Sequence, residues 1–172
     1  MAGQLIQVDT ETVTSAVASV TLTGIDSDNV YMVAINNIKM ASDKVVYFRF
    51  TESGTPNTTT NYDRAHKLLY SVKAFGNVSA TNQNLAYFDA SRLESGGGHN
   101  GIIYIYNANN SSEYTFYTHE ISAELESGQG GGVTGAQGGG VFTVTSAVDG
   151  IEFTLESATN FTSGTFTLYK VV

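Results

Sequence analysis

Apolar and polar residues alternate most clearly in the last 24 residues of the chain, 149–172. Ile151, Phe153 and Leu155 are separated by glutamate and threonine, so they fall on one side of an extended chain. This period of two is typical of a half-buried strand, because successive side chains of a strand point to opposite faces. A second alternating run follows the Ser-Gly pair at 163–164, which is a turn signal. The pattern predicts an antiparallel hairpin that closes a sheet at the C-terminal end.

Similar runs of β-forming residues, separated by turns rich in Asn, Asp, Ser and Gly, recur along the rest of the chain. The predicted strands are 5–8, 11–23 with a break near 15–19, 30–38, 45–52, 85–90, 102–108, 113–126 and 141–147. The runs 30–38 and 45–52 are the densest in β formers, which predicts central positions. With about nine to eleven short strands, the chain is predicted to be all-β. We expect an antiparallel β-sandwich with a jelly-roll-like fold, as one domain spanning 1–172.

The segment 62–75 fits two patterns. Apolar residues recur at helical spacing from Tyr62 to Val72, while 68–73 also alternates as a strand would. The residues alone therefore leave helix and strand open here. The next segment, 76–84, is rich in Asn, Gly, Ser and Thr and is predicted to be a loop.

The segment 128–140 holds eight of the eighteen glycines. We predict a flexible or interface-wrapping glycine-rich loop, since glycine loses much conformational freedom when it is fixed. If this loop were ordered, a neighbouring subunit would be expected to hold it. A phosphate-binding loop is a poor alternative, because such a loop ends in Gly-Lys-Ser/Thr and a helix, whereas here there is no lysine and a strand is predicted next.

Charge and targeting signals narrow the class of protein. Only 14% of the residues are charged, and the formal net charge is -8. The eight basic residues are scattered, which argues against binding to nucleic acid or to an anionic membrane. There is no cysteine, no signal-peptide pattern at the start and no run of about 18 apolar residues. We expect synthesis in the cytoplasm without Sec-type export.

Three histidines, His66, His99 and His119, are 33 and 20 positions apart. No pair has the short spacing with which a strand or helix converges metal ligands. The favoured interpretation is three separate surface or loop histidines. The alternative is a cluster on the threefold axis of an oligomer.

The acidic residues and serines show no convincing catalytic arrangement. Asp26 and Asp28 could offer oxygen ligands to Ca²⁺, but the glycine and distal glutamate of an EF-hand are missing, so a turn is favoured. Glu120, Glu124 and Glu126 share a face if 113–126 is a strand, and a solvated face is favoured over glycosidase chemistry. Two serines considered as nucleophiles, Ser91 and Ser112, lie in no G-x-S-x-G motif. We predict no catalytic, cofactor-binding or metal-binding residue, no cofactor and no enzymatic activity.

Tyrosine is the commonest aromatic residue, with ten copies and no tryptophan. Exposed tyrosines could stack on sugars, whereas strand tyrosines more often pack at sheet rims or subunit interfaces. The candidates are Tyr62, Tyr104, Tyr106, Tyr114 and Tyr117.

Three segments carry a resemblance to a known group of proteins. They are 100–107 (NGIIYIYN), 149–153 (DGIEF) and above all 163–169 (SGTFTLY). In these segments the chain resembles small β-sandwich proteins from the virions of tailed bacteriophages, especially phages of marine and cyanobacterial hosts. Members of that group often close their last strand with Gly-Ile, whereas this chain ends with Lys170, Val171 and Val172.

The resemblance implies a structural role in a phage virion and a jelly-roll-like fold, but no individual functional residue. Within that role we expect a capsid decoration or head-fibre protein. It would act through oligomeric packing, as a homo-oligomer such as a trimer and against other virion proteins such as the major capsid protein. A tail-fibre or tail-adaptor subunit that contacts a host glycan is the alternative in the same class. A lectin-like, carbohydrate-binding β-sandwich is the alternative from another class.

Overall fold

A computed structural model describes residues 3–172. Two 3₁₀ helices, Ser127–Gln129 and Glu156–Ala158, lie between strands in this range. The strands are β1 (Leu5–Val13), β2 (Ser19–Thr23), β3 (Tyr31–Met40), β4 (Lys44–Glu52), β5 (Thr55–Pro56), β6 (Tyr62–Tyr70), β7 (Gly76–Gln83), β8 (Ala86–Leu93), β9 (His99–Tyr106), β10 (Thr115–Glu124), β11 (Val133–Phe142), β12 (Gly150–Leu155) and β13 (Phe161–Val171).

The strands form two antiparallel sheets that pack face to face. The large sheet has the order β1-β13-β3-β9-β10-β11-β6-β7, and the small sheet has the order β2-β12-β4-β5, with β8 also paired to β4. Aromatic rings from the small sheet, such as Phe48 and Phe153, meet Tyr117 and Phe166 of the large sheet in the core. The prediction of an all-β antiparallel sandwich is confirmed. The predicted central strands 30–38 and 45–52 correspond to β3 and β4, and both have partners on either side.

The predicted C-terminal hairpin is wrong, because its two strands belong to different sheets. β12 lies between β2 and β4 in the small sheet, and β13 lies between β1 and β3 in the large sheet. The chain crosses the sandwich through Glu156–Ala158, where Ser157 and Ala158 both have positive φ. Phe153 and Phe166 then face each other across the core, with ring centroids 5.1 Å apart. A hairpin and such a crossing have the same alternation of side chains, so the pattern cannot distinguish them.

The ambiguous segment 62–75 is a strand as far as Tyr70, and the predicted loop 76–84 is largely strand β7. β6 points Tyr62, Arg64 and His66 into the sandwich, and it pairs with β11 on one side and β7 on the other. Backbone pairing on both sides satisfies its donors and acceptors, which outweighs a weak helical pattern.

The predicted glycine-rich loop 128–140 is also wrong over most of its length. Only 128–132 forms a turn, and β11 begins at Val133 and pairs over its whole length with β10, and over nine of its ten residues with β6. Glycine has little strand preference of its own, but the neighbouring strands offer it a complete ladder. No second subunit is needed to order it. The strand predicted over 141–147 ends at Phe142, which is the end of β11.

Candidate functional site

The glycine-rich strand β11 lies between β10 and β6 in the large sheet, and its inward glycines are covered by side chains from both neighbours. Gly138 lies between His66 of β6 and His119 of β10 in the ladder. The two imidazole rings meet edge to face, with centroids 5.3 Å apart. A Cβ atom at Gly138 would overlap Cβ of His66 and the carbonyl oxygen of Ala65. The histidines therefore come together because the residue between them has no side chain.

Gly140 has the same role one row further along the strand. It lies between Tyr117 and Arg64, and a Cβ atom there would overlap the phenol oxygen of Tyr117 and the carbonyl oxygen of Asp63. The guanidinium carbon of Arg64 lies 3.7 Å from the ring centroid of Tyr87 on β8. We group five buried polar side chains from β6, β8 and β10 under the name buried polar cluster: Arg64, His66, Asp89, Tyr117 and His119.

The buried polar cluster satisfies only some of its hydrogen-bonding atoms. Arg64 Nη1 donates to the carbonyl oxygen of Leu85 at 3.1 Å. The carboxylate of Asp89 accepts a hydrogen bond from the backbone N–H of Ser91 at 2.7 Å. Within residues 3–172, the cluster atoms without a protein partner are Nε of Arg64, both ring nitrogens of His66 and His119, Oδ2 of Asp89 and the phenol oxygen of Tyr117. Such atoms are uncommon in protein interiors, so they make this cluster chemically distinctive.

Burial controls the protonation of the cluster. It lowers the pKa of His66 to about 4, assisted by the positive charge of Arg64. It lowers the pKa of His119 to about 4 as well, with a further contribution from His66. Burial raises the pKa of Asp89 to about 6, against two hydrogen bonds from Ser91. Both histidines are therefore neutral at pH 7. His119 is only 2% exposed, so a substrate has no direct access to it.

The opposite side of the same strands is open. We call the side of the large sheet that points away from the small sheet the outer face. Ile102, Tyr104 and Phe116 are 38%, 37% and 46% exposed there. Gly139 and Ala65 are small, so they form the floor of an open depression of about 880 Å³, which we call the outer trough. Its other lining includes Asp63, Ser79, Thr81, Tyr106, Phe116, Thr118 and Val141.

A second hollow of about 510 Å³ continues from the outer trough over β9 and β10. It is lined by Tyr104 and Tyr106, and also by Glu120 and Gln137. The amide of Gln137 donates a hydrogen bond to Glu120 at 2.8 Å. Aromatic rings beside a few polar groups are typical of surfaces that bind another molecule.

The prediction of three surface or loop histidines is wrong. All three are buried strand residues, on β6, β9 and β10. His99 Nε2 donates to the carbonyl oxygen of Glu94 at 2.7 Å, and its Nδ1 accepts from the backbone N–H of Glu124 at 3.4 Å. Because the rings are enclosed in this protomer, the alternative of a histidine cluster on a threefold axis is wrong too.

The five candidate tyrosines divide between core and surface. Tyr62 and Tyr117 are buried, and the Tyr62 hydroxyl accepts a hydrogen bond from the backbone N–H of Phe50 at 3.0 Å. Tyr104 and Tyr106 lie on the outer face, while Tyr114 is exposed just before β10.

The two acidic candidates of the turn have structural partners. Asp26 accepts hydrogen bonds from Lys170 at 2.9 Å and from the Tyr31 hydroxyl at 2.8 Å, which lowers its pKa to about 2. Asp28 accepts a hydrogen bond from Asn110 at 3.0 Å. These contacts hold the turn, which is the interpretation favoured from the sequence, against strands β3 and β13 and against the loop that contains Asn110.

The remaining candidates do not form one site. Glu120 and Glu124 are exposed on β10, whereas Glu126 lies beyond the strand and within 3.6 Å of Arg92. Ser91 is enclosed and Ser112 lies in an exposed turn. Among the described residues, no three His, Asp or Glu side chains come together as a metal ion requires.

Two features were missed from the sequence. The first is the His66–His119 pair, and the second is the exposed ring of Phe116 beside the outer trough. The sequence has no signal for the pair, because it does not show that β6 and β10 flank the glycine-rich strand β11.

No protein-family model matches this sequence, and no curated protein matches it. In the described part of the chain, neither 3₁₀ helix approaches the length needed to cross a bilayer.

Proposed function

We propose that this protein is a non-enzymatic structural component of a bacteriophage virion, and that it decorates the capsid or forms part of a head fibre through oligomeric packing. The observation that supports it best is the outer face of the large sheet, where Ile102, Tyr104 and Phe116 are exposed together on paired strands. Contiguous apolar patches on a folded protein typically mark an interaction surface.

The division of chemical groups between core and surface also supports a packing role. The histidines are enclosed between the sheets, whereas the outer face offers aromatic, aliphatic and small residues with a few charges. The resemblance in 100–107, 149–153 and 163–169 supplies the virion context of the proposal.

The test is quantitative mass spectrometry of purified virions of the phage that encodes this chain. A decoration protein should be present in dozens to hundreds of copies that follow the capsid symmetry. A tail-fibre or tail-adaptor subunit should instead be present in a few multiples of three or six. Absence from the particles would overturn the proposal.

Carbohydrate binding is the second candidate, favoured by the rings of Tyr104 and Tyr106 beside the polar groups Glu120 and Gln137. Glycan-array binding by the isolated protein that is lost in Tyr106→Ala, and retained in the control Tyr114→Ala, would support it. An array without any bound glycan would count against it.

A further inference from the structure

We propose that the outer face of the large sheet binds a second copy of this chain, packed face to face about a twofold axis that runs along β11. The inference rests on the proposed packing role and deepens it by naming the surface and the partner. It follows from three properties of the outer face: its shape, the arrangement of its charges and its size.

The shape is that of a knob beside a hollow. In the ladder, Phe116 of β10 and Asp63 of β6 flank Val141 of β11. A twofold axis along β11 places β10 of one copy over β6 of the other. The ring of Phe116, 46% exposed in the single chain, then lies over the partner's Asp63, at the end of the partner's trough and one row of outward residues from the small residues Ala65 and Gly139. Each copy contributes one knob and one hollow, as an isologous interface requires.

The charges have the same symmetry as the shape. Glu120, Gln137 and Lys67 form one row across β10, β11 and β6. The carboxylate and the amine are each one strand from β11, on opposite sides. Rotation about β11 therefore places Glu120 over the partner's Lys67, and Lys67 over the partner's Glu120.

The same row argues against the other in-plane axis. A twofold axis along the row, at right angles to the strands, would place Glu120 over the partner's Glu120 and Lys67 over the partner's Lys67. Like charges placed together across an interface disfavour that arrangement. Within residues 3–172 neither Glu120 nor Lys67 forms an ion pair in the single chain, so both are free to pair across the interface.

The face has the extent of a stable interface. Strands β9, β10, β11, β6 and β7 lie about 4.8 Å apart, and outward residues repeat about every 6.7 Å along each strand. Four such rows cover about 600 Å² per copy and about 1,200 Å² in total, which is the lower limit of a standard specific interface. The net charge of -8 on each copy opposes association, so the two local ion pairs gain importance.

The test is sedimentation equilibrium of the purified full-length chain and three variants: Lys67→Glu, Glu120→Lys and the double exchange. We expect a dimer for the native chain. Each single reversal should weaken it at least about tenfold, because it creates two like-charge pairs. The double exchange should restore it. Glu11→Lys, an exposed charge change on the edge strand β1, is the matched control and should leave the dimer intact.

Far-UV circular dichroism and urea midpoints show whether each variant is folded. The inference would be overturned by a native chain that stays monomeric up to about 0.5 mM. This concentration is well above the dissociation constants of specific complexes. A trimer, a dimer insensitive to both reversals, a double exchange that fails to restore association, or glycan binding by a monomer that does not associate would also overturn it.

The two proposals fail separately. A protein abundant in virions but monomeric in these experiments retains the proposed function and loses this interface. A protein that dimerises as expected but is absent from virions retains the interface and loses the virion role.

Discussion

The two sides of strand β11 contain the same kind of residue and have opposite environments. On the inner side, Gly138 and Gly140 are covered by large side chains from β6 and β10, and the space is full. On the outer side, Gly139 lies in the floor of a trough of about 880 Å³. A Cβ atom there would overlap the carbonyl oxygen of Tyr117, but the atoms nearest to it are all backbone, so no large side chain covers it as on the inner side. The inward glycines are therefore covered by large side chains, whereas the outward glycine lies in the floor of an open trough.

The comparison shows that the space above a small residue is filled or open according to the length of the side chains on the neighbouring strands. Inward neighbours are Arg64, His66, Tyr117 and His119, all long enough to lean across a glycine. Outward neighbours include the short Ala65 on β6, which leaves the hollow open. Four changes test this contrast.

The largest effect is expected for Gly138→Ala. Its new Cβ would overlap Cβ of His66 and the backbone oxygen of Ala65, and backbone cannot move away easily. We expect a loss of about 3 kcal/mol or more in the free energy of unfolding, measured by urea denaturation. Gln137→Ala, one residue away on the exposed side, is the control and should change it by less than about 0.5 kcal/mol. Equal urea midpoints for Gly138→Ala and the native chain would contradict the packing described for the inner side.

The second largest effect is expected from acid, which should lower the free energy of unfolding through the two inward histidines. His66 and His119 have a pKa of about 4 in the folded protein and 6.5 as the ordinary value, so the unfolded chain takes up protons first as the pH falls through 6.5. Stability is therefore full above pH 7 and decreases towards pH 4. Asp89, with its pKa raised to about 6, opposes this trend between pH 6 and 3.8, because there the folded protein binds the extra proton.

Since two histidines oppose one aspartate, the net loss from pH 7.5 to 4.5 should be about 2 kcal/mol after allowance for solvent screening. Urea midpoints at the two pH values measure it. The double variant His66→Phe with His119→Phe should lose most of the acid sensitivity. His99 also has a pKa lowered by burial, but it is present in both proteins and so contributes equally to their acid sensitivity. The same acid sensitivity in both proteins would show that the pair is not responsible.

A smaller effect of opposite sign is expected for Tyr117→Phe. The phenol oxygen of Tyr117 is buried without a protein partner, so its removal should leave the free energy of unfolding unchanged or raise it by about 1 kcal/mol. Tyr62→Phe is the matched control. Its hydroxyl accepts from Phe50 and donates to Asn57, and its loss should cost about 1 kcal/mol. Thermal unfolding of the two variants side by side distinguishes them, and a destabilised Tyr117→Phe would reveal an unrecognised partner.

The smallest effect on folding is expected on the outer side. Phe116→Ala removes a ring that is 46% exposed, and we expect a change below about 1 kcal/mol in the free energy of unfolding. The matched inward change is Phe142→Ala on β11, where the ring is fully buried, and it should cost about 3–5 kcal/mol. Urea denaturation at a concentration too low for association compares them. Similar losses in the free energy of unfolding for both variants would show that Phe116 stabilises the fold and is not a surface residue available for binding.

The sequence by itself determined the class of fold and most strand positions. Alternation of apolar and polar residues reports which residues share a face, and turn residues report where strands end. These are local properties, so β3, β4, β9 and β10 could be predicted from 30–38, 45–52, 102–108 and 113–126. The turn around Asp26 and Asp28 was predictable for the same reason.

Only the tertiary structure decided which strands pair and what the glycines do. Ile151–Leu155 and Phe166–Leu168 alternate as a hairpin would, yet they face each other from opposite sheets, because pairing depends on partners remote in sequence. The run 133–142 lacks the local signals of a strand and acquires its conformation from ladders on both sides. His66 and His119 are far apart in the chain and meet only because Gly138 lies between them, which is a contact that no spacing rule along one segment contains.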